Sequence, residues 1–279
     1  MSGLVPSVTR GKPISRAIHL DGKSIPITVR FSDGAPDTTV ADNSPEAAPR
    51  GMAIRFAAGW GTDIMAFSHN GFLVGTGEEF LALVKAQAAT DASAPHLWPI
   101  EEFLNSHPRA LKFVQDPKPL PVSFGTEAFY ANNAFIFVNS EGQRPAGRYQ
   151  IVPVGGGQYL DDVTAKGKSP NFLSEELPGR LATAPFKFRL LLQLPNPADQ
   201  TNDGSVVWPD DRRKVELGII TITAVVPDSA AAEHMSGVCG WEGVPISDFR
   251  NCRTLSAWLK DLWPANSATP AAAREASRG

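Results

Sequence analysis

The side chains that could do chemistry are scattered along this sequence rather than gathered in one short motif. Ser68, His69, Asn70 and Gly71 stand together. A histidine ring can move a proton near neutral pH, and an asparagine amide can donate to or accept from a small substrate and so orient it. Ser68–His69 lacks the neighbours of a nucleophile elbow, so an activated serine is not indicated. Asn70–Gly71 also reads simply as a turn, because that dipeptide tolerates positive φ. Arg30 sits inside the alternating run IPITVRF, Ile25 to Phe31. A guanidinium there can pair bidentately with a carboxylate and stay charged when half-buried, or it can simply face water. His96, His107 and His234 share no ligand spacing, which argues against zinc. Gly75-Thr76-Gly77 precedes a helical pattern but lacks the third glycine and the βαβ setting of a phosphate-binding turn. The acidic pairs Glu78-Glu79, Glu101-Glu102, Asp161-Asp162, Glu175-Glu176 and Asp210-Asp211 mostly open helices or sit in polar loops, where dipole and solvation explain them. Asp210, Asp211, Arg212 and Arg213 read as a surface ion-pair cluster.

Positioning these groups requires a substantial core. The 279 residues are 42% hydrophobic, enough for one large domain. A net charge of -3 and a pI near 6.0 provide no electrostatic reason to expect nucleic acid or an anionic membrane. No apolar run reaches the length of a membrane span, and Met1–Lys12 has no long apolar segment of a secretory signal. Cys239 and Cys252 are too few for a disulfide framework. A soluble, cytoplasmic protein is expected. Strand patterns cover Ile25–Phe31, Met52–Phe56, Thr62–Phe67, Ala134–Val138, Arg148–Val152, Phe186–Leu194 and Val215–Val226. Helical spacing covers Glu78–Ala89, the stretch after Pro99, a short segment from Pro108, and Ser174–Leu181, which Pro178 should kink or end. Strands with segregated helices predict an α+β fold on an antiparallel sheet, and long strands with many Gly and Pro turns suit closure into a barrel. Residues 1–266 read as one domain, with 267–279 a flexible tail rich in Ala, Ser and Pro.

Four segments in a specific order resemble the catalase superfamily, above all its short catalase-related peroxidases. ITVRFSDG (Ile27–Gly34) is similar to the family's VRFS strand, and APRGMAIRF (Ala48–Phe56) to its RG-containing strand. TDIMAFSHNGF (Thr62–Phe72) followed by GTGEEFLALVKA resembles the strand, distal asparagine and helix beneath the heme. VVWPDDRRKVELG (Val206–Gly218) resembles a WPDDR…VELG segment. The resemblance implies the antiparallel β-barrel of the catalase heme domain with flanking helices, heme b enclosed by the sheet, and reduction of hydrogen peroxide or organic peroxides by an electron donor. It assigns peroxide orientation to Asn70, a heme propionate to Arg30, contact with the porphyrin face to Phe80 and Leu81, and to Arg253 the arginine before the proximal ligand. It implies neither a nucleic-acid nor a membrane partner and allows a homo-oligomer.

Two family features have no obvious counterpart. No HAKG-like segment carrying the distal histidine precedes Arg30; Met1–Arg16 looks like the stretch that follows it. His19 and His69 are weak candidates for the base, His69 because neighbours on a strand face opposite ways. The helical stretch Phe249–Trp263 carries Trp258 near where the proximal tyrosine is expected, and an indole offers iron no lone pair. Cys252, Cys239 and His234 are substitute ligands on paper, although a buried cysteine usually just packs. A catalase-like barrel that holds heme or another apolar ligand without catalysis is therefore the alternative expectation.

Overall fold

The computed structural model describes residues 2–5, 14–34, 39–57, 62–91, 93 and 98–227. The chain divides into two compact units, Met1–Gly75 with Leu104–Trp241 and Thr76–Phe103 with Glu242–Gly279. In chain order the elements are β1 (Ser2–Val5), β2 (Ile25–Ser32), β3 (Gly51–Phe56), β4 (Thr62–Phe67), α1 (Gly77–Ala88), α2 (Pro99–Ser106), α3 (Pro108–Gln115), β5 (Phe129–Tyr130), β6 (Phe135–Ile136), β7 (Ala146–Pro153), α4 (Asp162–Lys166), α5 (Phe172–Thr183), β8 (Phe186–Gln193) and β9 (Lys214–Ala224).

Within the larger unit the strands run in the order β5-β4-β3-β2-β1-β9-β8-β7, and β5 pairs back onto β7, so the sheet closes on itself. Closure satisfies the strand edges that an open sheet would leave unpaired. Period-two alternation decides which face each residue takes. On β2, Ile25, Ile27 and Val29 turn inward while Pro26, Thr28 and Arg30 turn outward. The registers set Val29 beside Ile54, and Ile54 beside Ile64, so three strands present one apolar surface.

That surface meets Phe129, Ile151, Phe188, Leu190, Ile220 and Ile222 from the other wall in a single core. Phe31 stacks on Phe124 at 5.0 Å, and Phe129 meets Phe188 edge-on at 6.2 Å. The interior is thus filled by side chains. This corrects the expectation that the sheet encloses a slot for a flat macrocycle: eight strands leave room for little more than the inward residues themselves, and here those are mostly large.

Of the two outcomes expected at Pro178, a kink or a stop, the stop does not occur: Pro178 lies inside α5. Leu173 and Leu177 are buried and Leu181 packs on the same core. That stripe at i, i+4 and i+8 spans both sides of the proline, so packing outweighs the one backbone hydrogen bond it removes. In the smaller unit, α1 begins with a reciprocal cap: the Thr76 hydroxyl accepts from the Glu79 N–H, and the Glu79 carboxylate accepts from the Thr76 N–H. Gly75-Thr76-Gly77 is therefore a helix start. Among the described residues no helix is long and apolar enough to cross a membrane.

Candidate functional site

Because the inward face is full, chemistry must use the other face of the same strands. Arg30 and Ser32 share the outward side of β2. Across the ladder, Arg30 stands opposite Ala53 and Ala53 opposite Met65, while Ser32 stands opposite Gly51 and Gly51 opposite Phe67. The central strand thus contributes only a glycine and an alanine between an arginine and a serine on one side and larger apolar groups on the other. A Cβ on Gly51 would come within 2.6 Å of the Ser32 Oγ, so this strand tolerates no side chain there without displacing Ser32. The Nε of Arg30 is buried with no hydrogen-bond partner among the described residues. A buried guanidinium edge normally finds an acceptor. A carboxylate lying over the Gly51–Ala53 platform would satisfy it.

Asn70 lies in the loop between β4 and α1, half-buried. Gly71 has φ of +124°, and a Cβ there would meet the Val207 Cγ2 at 2.8 Å. The turn reading of Asn70–Gly71 therefore holds for its backbone. The turn is held by a different amide: the buried Asn132 accepts from the Gly71 N–H at 2.9 Å and donates to the Gly71 carbonyl at 2.7 Å. The 203–208 segment braces the same loop, with the Asp203 carboxylate against Gly75. That segment is itself anchored by the buried Arg148, which donates to the Val206 and Asp203 carbonyls at 2.5 and 2.8 Å and lies 4.2 Å from the Trp208 ring. Burial lowers the Arg148 pKa to about 10, against the attraction of Asp203 and Asp199. Arg109 on α3 adds a 2.6 Å ion pair to Asp203.

The other predicted residues lie elsewhere. His19 packs on Phe56 at 4.9 Å and shares a 3.1 Å hydrogen bond with the inward-facing Tyr149. It is a core histidine on the face opposite Arg30, and burial pushes its pKa down to about 4. His69 sits edge-on to Phe113 of α3 at 4.4 Å and 3.7 Å from Asp116, engaged away from Arg30. Phe80 lies on α1 in the smaller unit, half-buried. Arg253, Trp258, Cys252, Cys239 and His234 lie outside the described residues. Of the expected Asp210–Arg213 cluster only Arg212 and Asp211 pair with each other, at 2.8 Å; Arg212 binds Asp199 through two bonds of 2.6 and 2.9 Å, and Asp210 lies 3.8 Å from Lys214.

Sequence reasoning missed a polar plug at one end of the barrel. Arg50, 2% exposed, donates to the Asp42 carbonyl at 2.7 Å and lies 3.9 Å from the Asp33 carboxylate. Burial, then the hydrogen bond to Asp42 and its charge, push Asp33 up to about 7 against the pull of Arg50. Burial likewise raises Glu127 to about 7, although the Tyr159 hydroxyl and the Ala128 N–H donate to it. The sign for Glu127 follows from linkage. The unfolded side chain ionises near its ordinary 4.5 while the folded one holds its proton to about 7, so stability falls as pH rises through that window. Glu127→Gln is expected to leave stability nearly unchanged at pH 4.5 and to raise it at pH 8 by about 3 kcal/mol. Denaturant melts at the two pH values check this; equal shifts at both would contradict it.

A model of the Catalase family matches residues 9–224. The chain is 32% identical over 240 residues to a catalase-related peroxidase of Mycolicibacterium paratuberculosis, a match covering 84% of this chain and 74% of that protein. It is 28% identical over 239 residues to a catalase-related peroxidase of Synechococcus elongatus, covering 81% and 68%. Solved structures of a fungal catalase and of catalase A from Saccharomyces cerevisiae superpose with TM-scores of 0.70 and 0.71 at 16% identity, each over 81% of this chain. At that identity the likeness is one of fold. The chain spans about half the length of those catalases, 49% and 50%.

Proposed function

The chain belongs to the catalase family, and from that premise we propose that it is a heme b peroxidase reducing hydrogen peroxide or an organic peroxide with electrons from a separate donor. The observation that carries the reading is the orphaned Nε of Arg30 above the Gly51–Ala53 platform. The small residues let a flat group lie close to the sheet, and the guanidinium binds a propionate at its rim. When bound, the heme supplies the redox-active iron at which the peroxide O–O bond is cleaved. Asn70 donates its amide N–H to the incoming peroxide and fixes its orientation. His19 is held in the core by Tyr149 and Phe56, and His69 lies against Phe113 and 3.7 Å from Asp116, so neither is assigned proton transfer on this face. Slow peroxidase turnover is therefore expected rather than fast disproportionation of peroxide.

Hemin titrated into the purified chain should produce a saturable Soret band. Arg30→Leu should weaken hemin binding by about 10-fold or more, the worth of one charge-assisted bidentate pair. Asn70→Ala should keep the band and slow peroxide consumption by about 10-fold or more. A chain that takes up no hemin, or an Arg30→Leu variant that binds it equally well, overturns the proposal. Uptake without turnover leaves the alternative of a catalase-like barrel that only holds its ligand.

A further inference from the structure

We infer that Asn132 is a positioning residue for Asn70, acting through the backbone of Gly71. The inference rests on the reading of Asn70 given above. An orienting amide works only if it is held still, because a displacement on the order of 1 Å can cost about 100-fold in rate. Asn70 is followed by a glycine at φ +124°, a type of residue whose backbone is free to take many conformations. Something else must hold it, and Asn132 uses both ends of its amide on that one residue, at 2.9 and 2.7 Å. Asn132 is buried at 8% exposure, and its neighbour Asn133 is exposed. Its two bonds therefore form where water does not compete for them. The back of the loop is closed by Val207 against Gly71 and by Asp203 against Gly75. The loop is thus pinched between an amide on one strand connection and the 203–208 segment on the other. The arrangement leaves the amide of Asn70 outside the clamp.

This assigns a role to Asn132 that its sequence setting, YANNAF, does not suggest, and it separates Asn132 from Asn133. It also explains why the buried Arg148 grips the carbonyls of Asp203 and Val206: the segment it holds is the rear support of the same loop.

The test uses the full chain with Asn132→Ala, Asn70→Ala, the double variant and, as control, the exposed Val163→Ala on α4. Without hemin, the Gly71 amide should exchange its hydrogen about 10-fold faster or more in Asn132→Ala, while Val163→Ala matches the parent. With hemin bound, Asn132→Ala should lower kcat/KM for hydrogen peroxide by about 10-fold with hemin affinity unchanged. Because both residues act through one group, the double variant should be no slower than Asn70→Ala alone. If the two losses multiply in the double variant, or if Gly71 exchange is unaffected, the inference fails. A slow Asn70→Ala beside a normal Asn132→Ala sinks this inference alone. A normal Asn70→Ala sinks the reading of Asn70 on which it stands. Should Asn132→Ala not fold, Asn132→Asp keeps the acceptor for the Gly71 N–H and loses the donor, and it must show the same pattern at smaller size.

Discussion

Replacing Arg148 by methionine is expected to destabilise the protein by about 2–4 kcal/mol, measured by denaturant unfolding, with no compensation from lysine at the same position. The terms oppose one another. Two hydrogen bonds from a charged group contribute about 1.5–3 kcal/mol each, and the stacking on Trp208 about 0.5–2. Against them stands the cost of burying the charge, visible in the pKa lowered to about 10 and in an Nε without a partner. The bonds prevail because the two carbonyls they reach belong to one segment, Asp203 and Val206, and methionine takes the side-chain donor from both, leaving Asp203 only the long 3.4 Å bond from the Val206 N–H. Lysine fails because a single ammonium on a flexible stem cannot reproduce a planar fork. An Arg148→Met chain as stable as the parent would mean that desolvation cancels the bonds and that the segment is held by its other contacts, among them the Arg109–Asp203 ion pair.

Phe188→Ala should cost more, about 3–5 kcal/mol by the same measurement, with hemin affinity changed little. Phe188 is fully buried and touches the aromatic rings of Phe31, Phe129 and Phe186, at centroid distances of 6.5, 6.2 and 5.8 Å. A hole at the centre of a closed barrel cannot collapse, because the strands around it are tied in a ring. The result also discriminates between the two faces of the sheet. If heme lay inside, enlarging the interior would alter its binding strongly; if it lies on the Arg30 face, only stability should change. A large change in hemin affinity would return the macrocycle to the interior.

Much of the architecture was legible in the residue pattern. β2, β3, β4, β8 and β9 lie within a residue or two of their alternating apolar runs, because alternation is a local consequence of strand geometry. The four residues of β1 and the two of β5 were not legible, since so short a stretch shows no period, yet those two strands close the ring. Arg30 and Asn70 could be named from their neighbours in sequence. Asn132 could not, because its partner Gly71 is 61 positions away. The only signal was an Asn-Asn pair between two aromatic strands, which equally suits a turn. Asp33, Asp42, Arg50 and Glu127 were passed over for the same reason: each looks like a surface charge until the fold buries it.

Residue type and near spacing were enough to set the family, the strands and the side chains able to reach a carboxylate or a peroxide. Which face of the sheet is available follows from how the strands close in three dimensions. Inward and outward residues alternate on every strand, and either set could in principle have lined a ligand site. Ring closure sends the large apolar set inward and leaves Arg30, whose Nε has no partner among the described residues, on the outside over a glycine and an alanine. That choice belongs to the packing of distant strands against one another, which local pattern does not encode.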